Sequence, residues 1–226
     1  MSMSVLIADK SVPFAVSLAG ALRSRAASVA LLSDASSEES AAVSSDSASL
    51  VDVPWNRASV LSARTVPVRI KNCFASLDQA VLVFDTPLLE DSFSPEDPLS
   101  PVRVADEYVR GYMLLVRELC ALFTAREQGR LVFVLRDRQT RDVPTDRAPG
   151  RPSNMPVSVA EAAFVRLAEE TASSLATLKI PSVQSLLVRI ESADDTANLV
   201  WLEDQLVAPI GNRPQGRWIK AGSRCG

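Results

Sequence analysis

The first 34 residues read as a strand, a helix and a second strand, and no other feature constrains the fold as much. Val5-Leu6-Ile7-Ala8 is an apolar run of strand length. Val12 to Ala26 has helical periodicity, and Val29-Ala30-Leu31-Leu32 is a second apolar run ending at Asp34. A helix of this length joining two strands acts as a crossover, which sets the strands parallel in one sheet. Neither run alternates with polar residues, as expected of strands covered on both faces.

The same order continues. Residues 34–49 are rich in Ser, Ala and acid and have no apolar face, so a Ser-rich loop or an eroded helix is expected there. Ser49 to Val53 reads as a third strand, followed by a helix-permissive stretch to about Ser76, and Ala80 to Phe84 as a fourth strand. Leu88 to Pro101 holds Pro95, Pro98 and Pro101 and is expected to be irregular. The longest helix is expected over Val104 to Arg126, with Val109, Met113, Val116, Cys120 and Phe123 facing the core and Gly129 as its stop. Leu131 to Leu135 is a fifth strand, and residues 136–156 form an Arg- and Pro-rich loop. Val159 to about Thr177 reads as a helix with Phe164, Leu167, Thr171, Leu175 and Leu178 inward. Gln184 to Ile190, Thr196 to Leu206 and Arg217 to Lys220 complete the pattern as strand, helix and strand. The fold class is α/β: a single Rossmann-like domain over 1–226, three layers αβα, around a doubly wound parallel sheet of about seven strands.

Composition excludes several functions. A hydrophobic content of 47% supports a core of that size. A formal charge of −3 supplies no basic face, so no nucleic-acid partner is expected. The apolar stretch Val5 to Leu22 is broken by Asp9, Lys10 and Pro13, so neither a membrane span nor a signal peptide is expected. Cys73, Cys120 and Cys225 are far apart and odd in number, which suits a reducing, cytoplasmic setting. There is no histidine, so serine triads, zinc hydrolysis and histidine phosphorelay lack their central residue. The acid pairs Glu38-Glu39, Glu90-Asp91, Asp194-Asp195 and Glu203-Asp204 read as solvated charges, and no metal is expected.

Scattered residues then fall at recognisable places. Asp34 ends the second strand, Asp52-Val53 ends the third, and Gly111 interrupts the long helix. Gly129-Arg130-Leu131-Val132 opens the fifth strand, Ala162-Ala163 sits in the next helix, and Gly216 to Gly222 closes the chain. In this order, from about Val5 to Gly222, the sequence resembles the short-chain dehydrogenase/reductase family. The resemblance implies that Asp34 binds a cofactor ribose and that Asp52 lies beside adenine, both in the adenosine half of NAD.

The family's chemical groups are missing from the matching positions, which makes the chain resemble a degenerate member. The Thr-Gly-x-x-x-Gly-x-Gly fingerprint falls on Ala8, Asp9, Pro13 and Ala15, so its glycines are replaced. Glycine lets the backbone approach a pyrophosphate and offer it amide N–H groups. Asp9 brings a carboxylate there instead, a repulsion of about 4 kcal/mol at roughly 4 Å with an effective dielectric of about 20, before any help from Lys10. A purely structural account has Ser11 as an N-cap with Pro13 in the first turn. The Asn-Asn-Ala-Gly turn falls on Phe84-Asp85-Thr86-Pro87, which would crowd the ribose. The relay asparagine falls on Tyr108 and the catalytic serine on about Arg136. The Tyr-x-x-x-Lys pair falls on Val157 and Glu161; valine transfers no proton, and a carboxylate reverses the required charge. Glu161 also completes a capping box with Ser158.

The expectation is therefore a pseudoenzyme with no catalytic residue, acting as a binding or assembly subunit. The resemblance implies a homodimer or homotetramer formed through helices 104–126 and 159–177. Two alternatives stay open: an oxidoreductase of atypical site using NAD(P), or an adenine nucleotide held weakly, through Asp34 and Asp52 alone, and a module binding an anion through Arg136, Arg138, Arg141, Arg147 and Arg151. The shape of the crevice near Phe14, Phe84 and Pro87 discriminates between them.

Overall fold

The computed structural model describes residues 3–34, 50–94, 96–137, 154–191, 194–208 and 216–222. Apolar runs become strands and the periodic stretches between them become crossovers. The strands are β1 (Ser4–Ala8), β2 (Ser28–Asp34), β3 (Leu50–Trp55), β4 (Gln79–Asp85), β5 (Gly129–Arg136), β6 (Val183–Ile190) and β7 (Trp218–Lys220). They form one parallel sheet in the order β3-β2-β1-β4-β5-β6-β7, so the strand order reverses between β1 and β4. The helices are α1 (Pro13–Ser24), α2 (Val60–Cys73), α3 (Thr86–Ser92), α4 (Ser100–Val104), α5 (Gly111–Arg126), α6 (Met155–Thr177) and α7 (Asp195–Val207), with a π-helical turn at Ala105–Arg110 between α4 and α5.

Alternate residues of each strand enter two cores. Val5, Ile7, Val81, Val132 and Val134 pack with α1 and α7. Leu6, Ala80, Leu82, Leu131 and Phe133 pack with α2, α5 and α6. No helix among the described residues is long and apolar enough to cross a membrane.

Several expectations need correction. Leu88 to Ser92 is helical rather than irregular, because the Asp85 carboxylate accepts the Leu88 N–H at 3.1 Å and Pro87 fits the first turn, where no donor is needed. The long helix ends at Glu127, which takes the left-handed conformation (φ 52°). Gly129 instead opens β5 at φ 152°, where a Cβ would overlap the Phe123 ring. Its buried row runs Tyr108, Tyr112, Leu115, Leu119, Phe123, with Val116 alongside; Met113 is exposed and Val109 and Cys120 only half-buried. Tyrosines take the row because the Tyr112 hydroxyl donates to the Val83 carbonyl at 2.6 Å, which satisfies it inside the core. Burial pushes the Tyr112 phenol upward.

The helix expected from Val159 begins at Met155. Asn154 is its N-cap, accepting the Val157 N–H through its side chain and donating to the Phe93 carbonyl at 2.6 Å. Ser158-Glu161 is therefore no capping box. Its inward row includes Val157, Ala160, Phe164, Ala168, Thr171 and Leu175, with Leu167 half-buried and Leu178 exposed. Residues 35–49, and Arg138, Arg141, Arg147 and Arg151 of the 136–156 loop, lie outside the described residues.

Candidate functional site

In an open parallel sheet the reversal of strand order opens a crevice at the carboxyl ends, here beside β1 and β4. Asp9 follows β1 directly and is 2% exposed. Its Oδ1 accepts the Ser11 N–H at 3.0 Å and its Oδ2 accepts the Ser11 hydroxyl at 2.7 Å. The same Oδ2 forms an ion pair with Nη2 of Arg57, which reaches across from the loop after β3. Ser11 is thus a partner of Asp9 rather than an N-cap; Val12 is the cap residue and lends no side-chain bond.

Arg57 is enclosed. Its guanidinium lies over the Tyr108 ring at 4.5 Å and the Trp55 ring at 5.6 Å. Nη2 donates to the Ser11 hydroxyl at 3.2 Å, and Glu107 stands 3.9 Å from Nη1. The first residue of α5, Gly111, leaves the space: a Cβ there would come within 2.8 Å of the Arg57 Cβ. Asp9 is consequently no bare carboxylate, and its help comes from Arg57. Lys10, the expected neighbour, instead pairs with Asp52 at 2.5 Å.

A second cluster closes the other side. Arg136 at the end of β5 pairs with Asp85 at 2.5 Å and with Asp195 in the first turn of α7 at 2.6 Å, and its guanidinium lies 5.0 Å from the Phe14 ring centre. This one residue ties β4, β5, α1 and α7 together. Beside it, the Thr86 hydroxyl donates to the Glu161 carboxylate at 2.9 Å.

The sequence-expected positions separate accordingly. Asp9 and Tyr108 meet at Arg57; Arg136 meets Asp85; Glu161 meets Thr86. Val157 is fully buried core, one helical turn before Glu161. Pro13 starts α1 and Ala15 packs inside it. Asp34 ends β2, exposed and in register with Trp55. Of the three residues expected to decide the crevice, Phe14 and Phe84 are buried and Pro87 is exposed. Three acids read as solvated are paired instead: Asp195 with Arg136, and Glu203, only 8% exposed, and Asp204 with Arg25 at 2.5 and 2.9 Å. Among the described residues no three metal-ligating side chains cluster. Sequence reasoning missed Arg57, a single cation after a strand whose partner lies 48 positions away in the turn after another strand; only its neighbour Trp55 hinted at an enclosed site.

The turn after β1, where a dinucleotide's pyrophosphate lies in folds of this class, holds a buried carboxylate bonded to the Ser11 N–H and to Arg57. The turn after β4 is a helix start capped by Asp85 rather than a run of small residues.

No family model matches the chain. An uncharacterized protein of Treponema pallidum (strain Nichols) is 34% identical over 231 residues, spanning 99% of this chain and 95% of that one. Three solved structures share the architecture. A short-chain dehydrogenase from Burkholderia cenocepacia J2315 in complex with NADP superposes with a TM-score of 0.68, at 15% identity over 98% of this chain and 89% of that chain. ElxO with NADP bound gives a TM-score of 0.69, at 13% identity over 98% and 97%. A 3-ketoacyl-(acyl-carrier-protein) reductase from Brucella melitensis complexed with NADH gives 0.60, at 15% identity over 97% and 86%. At such identities the likeness is one of fold, and the fold is short-chain dehydrogenase-like.

Proposed function

The chain belongs to the family of the Treponema pallidum protein, and from that premise we propose that it is a non-catalytic protein on a short-chain dehydrogenase scaffold, working as a binding or assembly subunit. The observation that carries this reading is the buried Asp9–Arg57 pair, which occupies the turn that a dinucleotide would need. NADP or NADH accompanies the structural neighbours, and here the groups that would receive it are engaged with each other. The proton-transfer positions agree: Val157 is core and Glu161 is hydrogen-bonded to Thr86.

Calorimetric titration of the full chain with NADH and NADPH tests this, and no saturable heat is expected. Micromolar binding with turnover on a carbonyl substrate would overturn it. An adenine nucleotide held by Asp34 and Asp52 is the weaker alternative, because Asp52 is already paired with Lys10. An anion module built on Arg136 is weaker too, since Asp85 and Asp195 neutralise that guanidinium. If any cofactor binds, NAD is the one the scaffold implies. We place the protein in the cytoplasm.

The assembly we propose is a homodimer or homotetramer through helices 104–126 and 159–177. Met113 and Val159, exposed at 55% and 60%, support it, since apolar side chains on two packed helices suit a second copy. Light scattering at micromolar concentration is expected to give a dimer or larger, and a monomer would refute it.

A further inference from the structure

We propose that the turn after β1 is an intact anion-binding site occupied by the chain's own Asp9 carboxylate, and that Asp9 is what keeps phosphate-bearing ligands out. This deepens the non-catalytic reading and rests on it.

The carboxylate receives what a bound anion receives. A backbone N–H (Ser11, 3.0 Å), a hydroxyl (Ser11, 2.7 Å) and a guanidinium (Arg57 Nη2) converge on its two oxygens. The receptor is also held from its other sides, independently of Asp9. Arg57 is stacked on Tyr108 and Trp55, hydrogen-bonded to the Ser11 hydroxyl, and seated against Gly111, where a Cβ has no room. Its Nη1 is buried without a hydrogen bond among the described residues, 3.9 Å from Glu107. On the Asp9 side, three donors therefore converge on two carboxylate oxygens. A phosphate, with more oxygens set tetrahedrally, matches that excess, and arginine is suited to it. Tethering makes the carboxylate hard to displace, because an intramolecular ligand acts at a high effective concentration. Its charge adds like-charge repulsion against any incoming anion.

A purely structural ion pair and a self-occupied site behave differently once the carboxylate is removed. The experiment titrates inorganic phosphate into full-length wild type, Asp9→Ala and Asp9→Ala/Arg57→Ala, against chloride at matched ionic strength. Phosphorus NMR line broadening and melting temperature are the readouts. Asp9→Ala is expected to bind phosphate roughly 100-fold more tightly than wild type, the order given by removing a like charge a few ångströms away. Its melting temperature should rise with phosphate concentration, and the double variant should lose both gains. Equal phosphate affinity in wild type and Asp9→Ala, or a gain that survives loss of Arg57, overturns the proposal. Should Asp9→Ala not fold in chloride, Asp9→Asn keeps an acceptor for Ser11 while losing the charge, and is judged by the same comparison. NADH binding by wild type would defeat the non-catalytic reading instead; a folded Asp9→Ala indifferent to phosphate defeats only this one.

Discussion

Both ends of the parallel sheet carry polar and charged side chains, but what those side chains bind differs. At the amino end most of them bind backbone, the Arg25–Glu203 pair excepted. Arg130 donates to the Gln205 and Ala208 carbonyls at 3.0 and 3.3 Å, where α7 ends, and Gln79 donates to the Leu206 carbonyl at 2.7 Å. Asp78 accepts the Ser4 N–H at 2.9 Å, and Arg126 donates to the Leu77 carbonyl. At the carboxyl end charge binds charge: Asp9 with Arg57, Asp52 with Lys10, and Arg136 with Asp85 and Asp195. The first kind of contact answers a need of folding, since helix ends and strand starts leave carbonyls and N–H groups that must be satisfied. A buried ion pair largely satisfies its own members and carries a desolvation cost. The carboxyl end therefore holds polar chemistry beyond what the scaffold requires, in the region where this fold class places ligands.

Breaking one partner should show the largest effect. Asp9→Ala leaves the enclosed Arg57 with only the more distant Glu107 carboxylate as its ion-pair partner and is expected to cost about 3 kcal/mol in urea unfolding; a loss near zero would mean that Arg57 reaches water or that Glu107 takes over the pairing. The sharper experiment replaces whole interactions at both ends. Asp9→Leu with Arg57→Met should be close to neutral, because both charges leave together. Arg130→Met should still cost roughly 2 kcal/mol, because the α7 carbonyls lose charged donors. If the two changes cost the same, the contrast between the ends collapses. Gly111→Ala pushes a Cβ against Arg57 and is expected to cost about 1–3 kcal/mol by overpacking, read as a shift in the unfolding midpoint.

The smallest effect concerns the cysteines of the described region. Burial pushes the Cys120 thiol up to about 11, whereas Cys73 is exposed. In a Cys225→Ser background at pH 8, a maleimide should label Cys73 well before Cys120. The raised value has a sign for stability as well. Cys120 favours the folded state fully below about pH 9 and loses that contribution as pH rises through about 11. Equal labelling rates would show that α5 opens locally at Cys120.

Much of the scaffold was legible because parallel strands buried on both faces leave a mark in one dimension. Val5 to Ala8, Val29 to Leu32, Ala80 to Phe84 and Leu131 to Leu135 each became a strand. The tyrosine row of α5 was less legible, since Tyr112 is a core residue only where the Val83 carbonyl meets its hydroxyl. The start of α6 was misplaced for a similar reason: Asn154 caps it while also reaching Phe93, 61 positions away. At the site, the identities of Asp9, Pro13, Ala15, Val157 and Glu161 were plain from the sequence, but the partners of Asp9 and Glu161 were not.

Sequence by itself therefore determined the parallel α/β architecture and which residues stand at the strand ends and helix starts, because periodicity and residue identity are local properties. Only the tertiary structure decided that Asp9 is held by Arg57, that Tyr108 and Gly111 make the room for it, and that Arg136 joins Asp85 to Asp195. Those pairings depend on which strand ends and helix starts the crossovers bring within a few ångströms, and chain separation carries no trace of that distance.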